Sequence, residues 1–197
     1  MLWARNMRGS HHEAVRPKQR ELQPLRQPIM QTVIEIRMMA AADIPAVLEI
    51  QAVCYTELTP ESDASLHAKL SASQATCFIA SIEGAAVGYL IALPWESSNP
   101  PALNAETCRL PGSPDCLYLH DLAVMPGARK LGAGRALVEA FLTRLRDSGL
   151  GRASLVAVQS SAPYWERYGF RAVPQSEPLK AKLATYGEGV LYMERAA

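Results

Sequence analysis

Cysteine is scarce in this chain. Four occur in 197 residues, Cys54, Cys77, Cys108 and Cys116, at spacings of 23, 31 and 8. No CxxC pair is present, which removes the usual zinc and dithiol motifs, and so few cysteines in a chain this long do not make a disulfide framework. Free thiols in a reducing cytoplasm are expected, with no metal. An excess of one charge is also missing: 20 Lys+Arg face 19 Asp+Glu, a net +1. That excludes strong electrostatic attraction to nucleic acid as an organising principle. Long apolar runs are lacking too. The longest, from Ala85 to Trp95, has 11 residues, against the ~20 that a bilayer span needs, so no membrane partner is expected. What remains, 49% apolar residues, is enough for one sizeable core, and one domain is the default at this length.

The chain is not uniform. Residues 1–30 carry Arg5, Arg8, Arg16, Lys18, Arg20 and Arg26 against Glu13 and Glu21, a local +4, and are broken by Pro17, Pro24 and Pro28. They have no apolar period and no signal-peptide core, so they read as a disordered basic extension, with Met30 as an alternative start. The pair His11 and His12 is too weak a signal to assign a metal. Residues 31–197 read as a single domain.

Within it, residues 32–38 alternate as a first strand. Asp43 can cap a helix running to about Tyr55, and a second helix is expected over 63–71. Two apolar runs, 76–82 and 86–93, joined by Glu83, Gly84 and Ala85, signal a hairpin. A loop rich in Pro, Ser and Asn spans 96–115. Residues 117–124 return to strand, 131–148 to an amphipathic helix stopped by Gly149, 153–158 to a buried strand, 162–168 to a short helix, and 189–194 to a closing strand. Early hairpins followed by strand–helix–strand imply a mixed α/β sheet with helices on its faces.

The chemistry concentrates at the turn Pro126, Gly127, Ala128, Arg129, Lys130, Leu131, Gly132, Ala133, Gly134, Arg135. Two glycines where a helix starts bare several backbone N–H groups, and the helix dipole adds positive potential, which suits a diphosphate. Other phosphate motifs fail. Gly127 and Gly132 are not followed by Gly-Lys-Ser/Thr, and the third glycine of the dinucleotide fingerprint is replaced by Leu137.

Arg129 to Gly134 resembles the R-x-x-G-x-G/A acetyl-CoA signature of the GNAT N-acetyltransferase superfamily, placed after a strand and a proline and before an amphipathic helix. Tyr164 to Phe170 is similar to that superfamily's aromatic-x-x-x-Gly-Phe segment. The likeness covers roughly Glu35 to Arg195. Within it, the stretch from Arg109 to Gly112 and on to Val124 is most similar to the arylalkylamine (serotonin-type) enzymes. The resemblance implies a mostly antiparallel sheet with a V-shaped splay between the strands at 117–124 and 153–158, holding acetyl-CoA as cosubstrate. It implies that the backbone of Leu122, Ala123 and Val124 meets the pantetheine arm, that residues 129–134 (Arg129, Lys130, Leu131, Gly132, Ala133, Gly134) and Arg135 hold the pyrophosphate, and that Leu122 N–H serves the thioester oxyanion, a role worth ~3 kcal/mol.

A primary amine is protonated at neutral pH (pKa ~10), so a base is needed. His120 is the candidate base, since a neutral imidazole is available near pH 7. Strict alternation would put Tyr118, His120 and Leu122 on one strand face, and Leu119, Asp121 and Ala123 on the other. Tyr118 is then a second catalytic candidate. Where many relatives carry an acidic tyrosine this chain has Trp165, read as a wall of the cofactor slot. Glu57, Glu61 and Asp63 read as a solvated charged face. Three functions stay open: transfer to a small amine of arylalkylamine or polyamine type, transfer to a protein N-terminus or lysine, and acyl-CoA binding without catalysis. The loop 96–115 and the segment 174–186 are expected to cover the acceptor site and favour the first, in a monomer or homodimer. A chain started at Met30 should fold and turn over like the full chain, as compared by circular dichroism and initial rates.

Overall fold

The computed structural model describes residues 32–55 and 59–197. The basic head, its two histidines and Glu57 lie outside those residues. The elements in chain order are β1 (Ile34–Met38), α1 (Ile44–Cys54), α2 (Asp63–Ala72), β2 (Phe78–Ile82), β3 (Ala85–Trp95), β4 (Cys116–Val124), α3 (Ala133–Ser148), β5 (Arg152–Ala157), α4 (Ala162–Glu166), β6 (Arg171–Ala172), α5 (Glu177–Leu183) and β7 (Leu191–Ala196). None of the described helices is long and apolar enough to cross a membrane.

The seven strands form one sheet in the order β1-β2-β3-β4-β5-β7-β6. Every pairing is antiparallel except β4 with β5. The hairpin signal at Glu83 and Gly84 is realised as a two-residue turn with both residues at positive φ, 50° and 79°, the primed geometry that matches strand twist. Asp43 sits at the start of α1 but does not cap its N–H groups. Its carboxylate instead accepts from Ala40 N–H at 2.8 Å and from both terminal nitrogens of Arg37 at 2.6 Å. Thr76 was expected in a strand and lies in a short 3-10 turn, where its hydroxyl bonds to Ala92 O. The segment 174–186, expected to cover the acceptor site and given no helix, contains α5, whose start is capped by Ser176.

Helix α3 packs on one face through Leu137, Phe141 and Leu145, against Phe78, Leu90, Leu117 and Leu119. Helices α1 and α2 cover the opposite face, where Ile44, Val47, Ile50, Leu66 and Leu70 meet Ile79, Tyr89 and Ile91. Farther along β4, Leu179 and Leu183 of α5 pack with Cys116, Tyr118 and Tyr192.

Two departures from regular pairing position the site. The first is a register shift between β3 and β4. Ile91 pairs with Asp121 while Ala92 pairs with Leu119, so His120 is an extra residue with no partner on β3. Such a bulge re-aims the strand and resets its alternation. Tyr118, Asp121 and Ala123, opposite Leu93, Ile91 and Tyr89, therefore share one face, and Leu119 and Leu122, opposite Ala92 and Leu90, share the other. The strict alternation expected above fails at this residue. The second departure is that β4 and β5 pair only over Leu117, Tyr118 and Leu119. Beyond Leu119 the strands part, which is the splay.

Strand β3 approaches β4 and α3 closely at Gly88. A Cβ there would stand 3.0 Å from Ala123 O, 3.1 Å from Val124 Cγ2 and 3.3 Å from Leu137 Cδ1. Because the first of these is backbone, Gly88→Ala should destabilise the fold by about 1–3 kcal/mol through overpacking. Urea unfolding should show a lower midpoint with an unchanged slope.

Candidate active site

The splay opens into a cavity of about 1220 Å3. Its floor is β4 from Leu119 to Val124 and β5 at Leu155 and Val156. One end is built by the turn into α3. Residues Pro126–Leu131 wind as a 3-10 turn, and Gly132 then takes φ +97°, a left-handed conformation that other residues reach only with strain. The first intrahelical bond of α3 runs from Ala136 N–H to Gly132 O at 3.0 Å, so the N–H groups before it have no helical partner. Gly132 and Gly134 both line the cavity. At Gly134 a Cβ would come within 3.0 Å of the Tyr164 hydroxyl, so a larger residue there would push the Tyr164 side chain aside.

Arg129, Arg135 and Arg167 line the same end. Arg129 donates through Nε to Val124 O at 3.0 Å, and the Arg167 guanidinium lies 5.1 Å from the Tyr164 ring centroid. Of the residues expected there, Lys130, Leu131 and Ala133 do not line the cavity. Ala133 is buried beneath the helix, while Lys130 and Leu131 face outward. Trp165 does form part of the wall, packed edge-to-face on Phe170. Tyr164 and Tyr168 line the cavity beside it, and burial pushes the Tyr164 phenol well above its ordinary range.

The other end is centred on His120. The bulge sets its imidazole against Glu61, with Nε2 3.2 Å from Oε2, and the two side chains are only 1% and 8% exposed. Glu61 is the residue the sequence reading misplaced. It is not part of a solvated face. Its backbone N–H and C=O are clamped by the Gln51 side chain, at 3.2 and 3.3 Å. Its Oε1 accepts from Lys69 Nζ at 2.9 Å and from Asn104 N–H at 2.8 Å. Burial pushes the Glu61 carboxyl up, but His120 and Lys69 more than offset it and hold it down at about 2. Asp63, by contrast, is exposed as expected, 3.8 Å from His67. No single-sequence signal separates Glu61 from Asp63. The pairing arises because Lys69 and Ser65, one turn apart on α2, face back toward Glu61, and Lys69 also bonds Ser65 Oγ at 2.6 Å.

Asp121, next to His120, is half-buried and accepts from the Tyr55 hydroxyl and, at 2.5 Å, from the Tyr89 hydroxyl. Burial raises its carboxyl above the ordinary range. Tyr118 does not line the cavity. Its ring lies 6.1 Å from that of His120, and its hydroxyl stands 3.5 Å from the Tyr186 hydroxyl. It is Tyr186, itself bonded to Pro101 O, that reaches the cavity; burial pushes its phenol up to about 12. Among the described residues there is no group of three or more His, Cys, Asp or Glu placed to hold a metal ion, and the four cysteines are unpaired.

Two segments roof this end. Leu103 and Asn104 come from the loop after β3, and Thr185, Tyr186 and Gly187 follow α5. The first is pinned at both sides of the Asn104 residue, since its N–H bonds Glu61 and its Oδ1 accepts from Ser62 N–H at 2.8 Å.

Among curated protein sequences, none matches this chain. Solved structures do. Ard1 from Thermoplasma volcanium superposes with a TM-score of 0.62 at 18% identity, covering 83% of this chain and 97% of that one. The ribosomal-protein-S18-alanine N-acetyltransferase from Escherichia coli gives a TM-score of 0.58 at 18% identity, with 83% and 94% covered. Arabidopsis thaliana Naa50, solved with the bisubstrate analogue CoA-Ac-MVNAL, gives 0.61 at 12% identity, with 83% and 99% covered. At these identities the likeness is one of fold. The model of the acetyltransferase (GNAT) family matches residues 44–170, which takes in the bulged β4, the glycine turn, the splay and the aromatic segment ending at Phe170. On that match the chain belongs to the acetyltransferase (GNAT) family and is an acyltransferase.

Proposed function

We propose that the chain transfers an acetyl group from acetyl-CoA to the primary amine of a small molecule, of arylalkylamine or polyamine type, by direct attack within a ternary complex. The observation that carries the acceptor class is the roof. Leu103, Asn104 and Tyr186 line the cavity together with His120, and the Glu61–Asn104 bond ties the first of these segments to the site itself. An enclosed end suits a compact ligand, whereas a peptide wants an open trough.

The residues present fit the cosubstrate. The α3 N-terminus at Gly132 and Gly134 would receive the pyrophosphate, with Arg129 and Arg135 alongside. The unpaired edge of β4 at Leu122, Ala123 and Val124 would meet the pantetheine amides, and Trp165 would wall the slot. When bound, acetyl-CoA supplies the activated acetyl thioester. The protein supplies the proton acceptor. Glu61 Oε2 facing Nε2 favours the tautomer protonated there, leaving Nδ1, which has no partner among the described residues, to take the ammonium proton of the acceptor. Glu61 stays ionised throughout, since its carboxyl titrates at about 2. Tyr118 acts on this reading only at a distance, through Tyr186. An amine panel, together with a peptide bearing a free N-terminus, assayed with acetyl-CoA by thiol release tests the acceptor class; turnover of the peptide alone would refute it.

Gly132→Glu should abolish acetyl-CoA binding in calorimetric titration, because its carboxylate enters the diphosphate position. Space for the side chain exists, since the nearest atom to a Cβ there is Ile34 Cδ1 at 3.7 Å. Gly132→Ala, which bears the same φ strain without the charge, is the control and should still bind.

His120→Gln should lower kcat/KM by ~10²-fold while leaving acetyl-CoA affinity nearly unchanged, the low end for a general base. Wild-type kcat/KM should rise with pH as the base becomes available, and the variant should lose that limb for amines of low pKa, which arrive neutral. Glu61 contributes elsewhere. A carboxyl held below its unfolded value stabilises the fold above pH ~4.5, and that contribution is lost as pH falls toward 2. Glu61→Gln should therefore remove part of the acid dependence of stability between those limits, as followed by acid-dependent urea midpoints.

A further inference from the structure

The α3 end of the cavity holds a polar atom with nothing to bind. The Tyr164 hydroxyl is buried and has no hydrogen-bond partner among the described residues, although the residue lines the cavity. Its place is set from two sides. On the α3 side, a Cβ at Gly134 would stand 3.0 Å from it. Side chains on a helix lean toward its N-terminus, so an atom that meets this Cβ lies over the first turn of α3. That turn is where the N–H groups preceding Ala136 have no helical partner. On the α4 side, the ring is held by Trp165, edge-on with centroids 5.0 Å apart, by Tyr168 at 5.2 Å, and by the Arg167 guanidinium 5.1 Å from its centroid. Flipping the ring does not move the oxygen, which lies on the rotation axis. A buried hydroxyl without a partner costs stability, and here the missing partner is an acceptor that can enter through the cavity.

We propose that the Tyr164 hydroxyl donates to the diphosphate of the cosubstrate, so that the anion is held from α4 as well as from the α3 turn. This step rests on the acetyl-CoA reading above. A phenol proton on a phosphate oxygen makes a charge-assisted bond, stronger than a neutral one. Burial raises the phenol well above its ordinary range, so it stays protonated and remains a donor. The hydroxyl serves binding and not the proton transfer, because it stands with Gly134 at the α3 end while His120 lies at the other. One atom then has opposite effects in two states. It is unmatched and destabilising in the free protein, and matched once the diphosphate arrives.

Tyr164→Phe removes the oxygen and keeps the ring, so two readouts should move in opposite directions. Without ligand, the variant should unfold at a higher urea midpoint with an unchanged slope, since it loses only an unmatched hydroxyl. In calorimetric titration its Kd for acetyl-CoA should rise ~10-fold or more, as expected for a hydrogen bond to a charged group. S-acetylpantetheine carries the thioester and arm without the diphosphate. At millimolar concentration it should shift the midpoints of wild type and variant equally. Gly134→Ala pushes the same hydroxyl aside, its next contact being Val124 Cγ2 at 3.7 Å. It should also weaken acetyl-CoA binding, and combined with Tyr164→Phe it should cost no more than either change alone. Unchanged acetyl-CoA affinity in Tyr164→Phe, a lower midpoint for the free variant, or an equal loss for S-acetylpantetheine overturns this inference and leaves the acetyl-CoA reading standing. Failure of the wild type to bind acetyl-CoA overturns that reading and this inference with it.

Discussion

The cavity depends on one interruption, the end of β4–β5 pairing at Leu119. Backbone N–H and C=O groups in a sheet need partners, and two strands that part in mid-sheet leave facing edges whose groups are not satisfied by each other. The fold tolerates this because both strands are held from outside. β3 pairs with β4 along its length, and β7 pairs with β5 over six residues from Arg152 to Ala157. Residues of α4 and of the turn into α3 line the wedge between them. Cavity and sheet are therefore consequences of the same register.

The bulge at His120 sits one residue past that interruption, and the coincidence has a physical sense. A residue extra to the β3 ladder is free of the alternation that would bury it with Tyr118 or Leu119. It can be turned toward the loop before α2, where Glu61 waits. The cost of burying Glu61 beside Lys69 is large unless every charge is matched. Here the match extends over two helices and two loops: Gln51 of α1 fixes the backbone, Lys69 of α2 and Asn104 N–H take one carboxylate oxygen, and His120 faces the other. Such a network does little for stability relative to an apolar core, but it fixes the position of each member, and position is what acid–base chemistry requires.

Much of the sheet was legible in the sequence because period and punctuation agree. The hairpin at Glu83 and Gly84, the amphipathic run ending at Gly149 and the glycine pair at the start of α3 are local signals, and the structure realises them locally. The failures share a cause. The two-faced reading of residues 118–123 assumed an unbroken period of two, and a bulge leaves no mark in composition, so Tyr118 was placed beside His120 in the site rather than behind Tyr186. Glu61 was grouped with Asp63 because two residues of separation look alike in one dimension. Only the packing of α1 on α2 buries one and exposes the other. Helix α5 escaped because seven residues opened by Ser176, Glu177 and Pro178 show less than two turns of periodicity. Sequence reading recovered what nearest neighbours decide, and missed what the third dimension decides.

The two ends of the cavity are built on opposite principles. At the α3 end the groups are backbone N–H donors and arginines, which attract anions in a turn that Gly132 enters at a φ favouring glycine. At the His120 end the strong donors are consumed internally and acceptors remain. A ligand lying through the splay would thus meet positive potential at one extremity and the neutral acceptor His120 Nδ1 at the other. Under the proposed reading this difference orders the reactants: an anionic cosubstrate is drawn to the α3 end, and the acceptor amine meets the proton acceptor at the other. A difference of this kind also discourages either ligand from entering in the wrong sense.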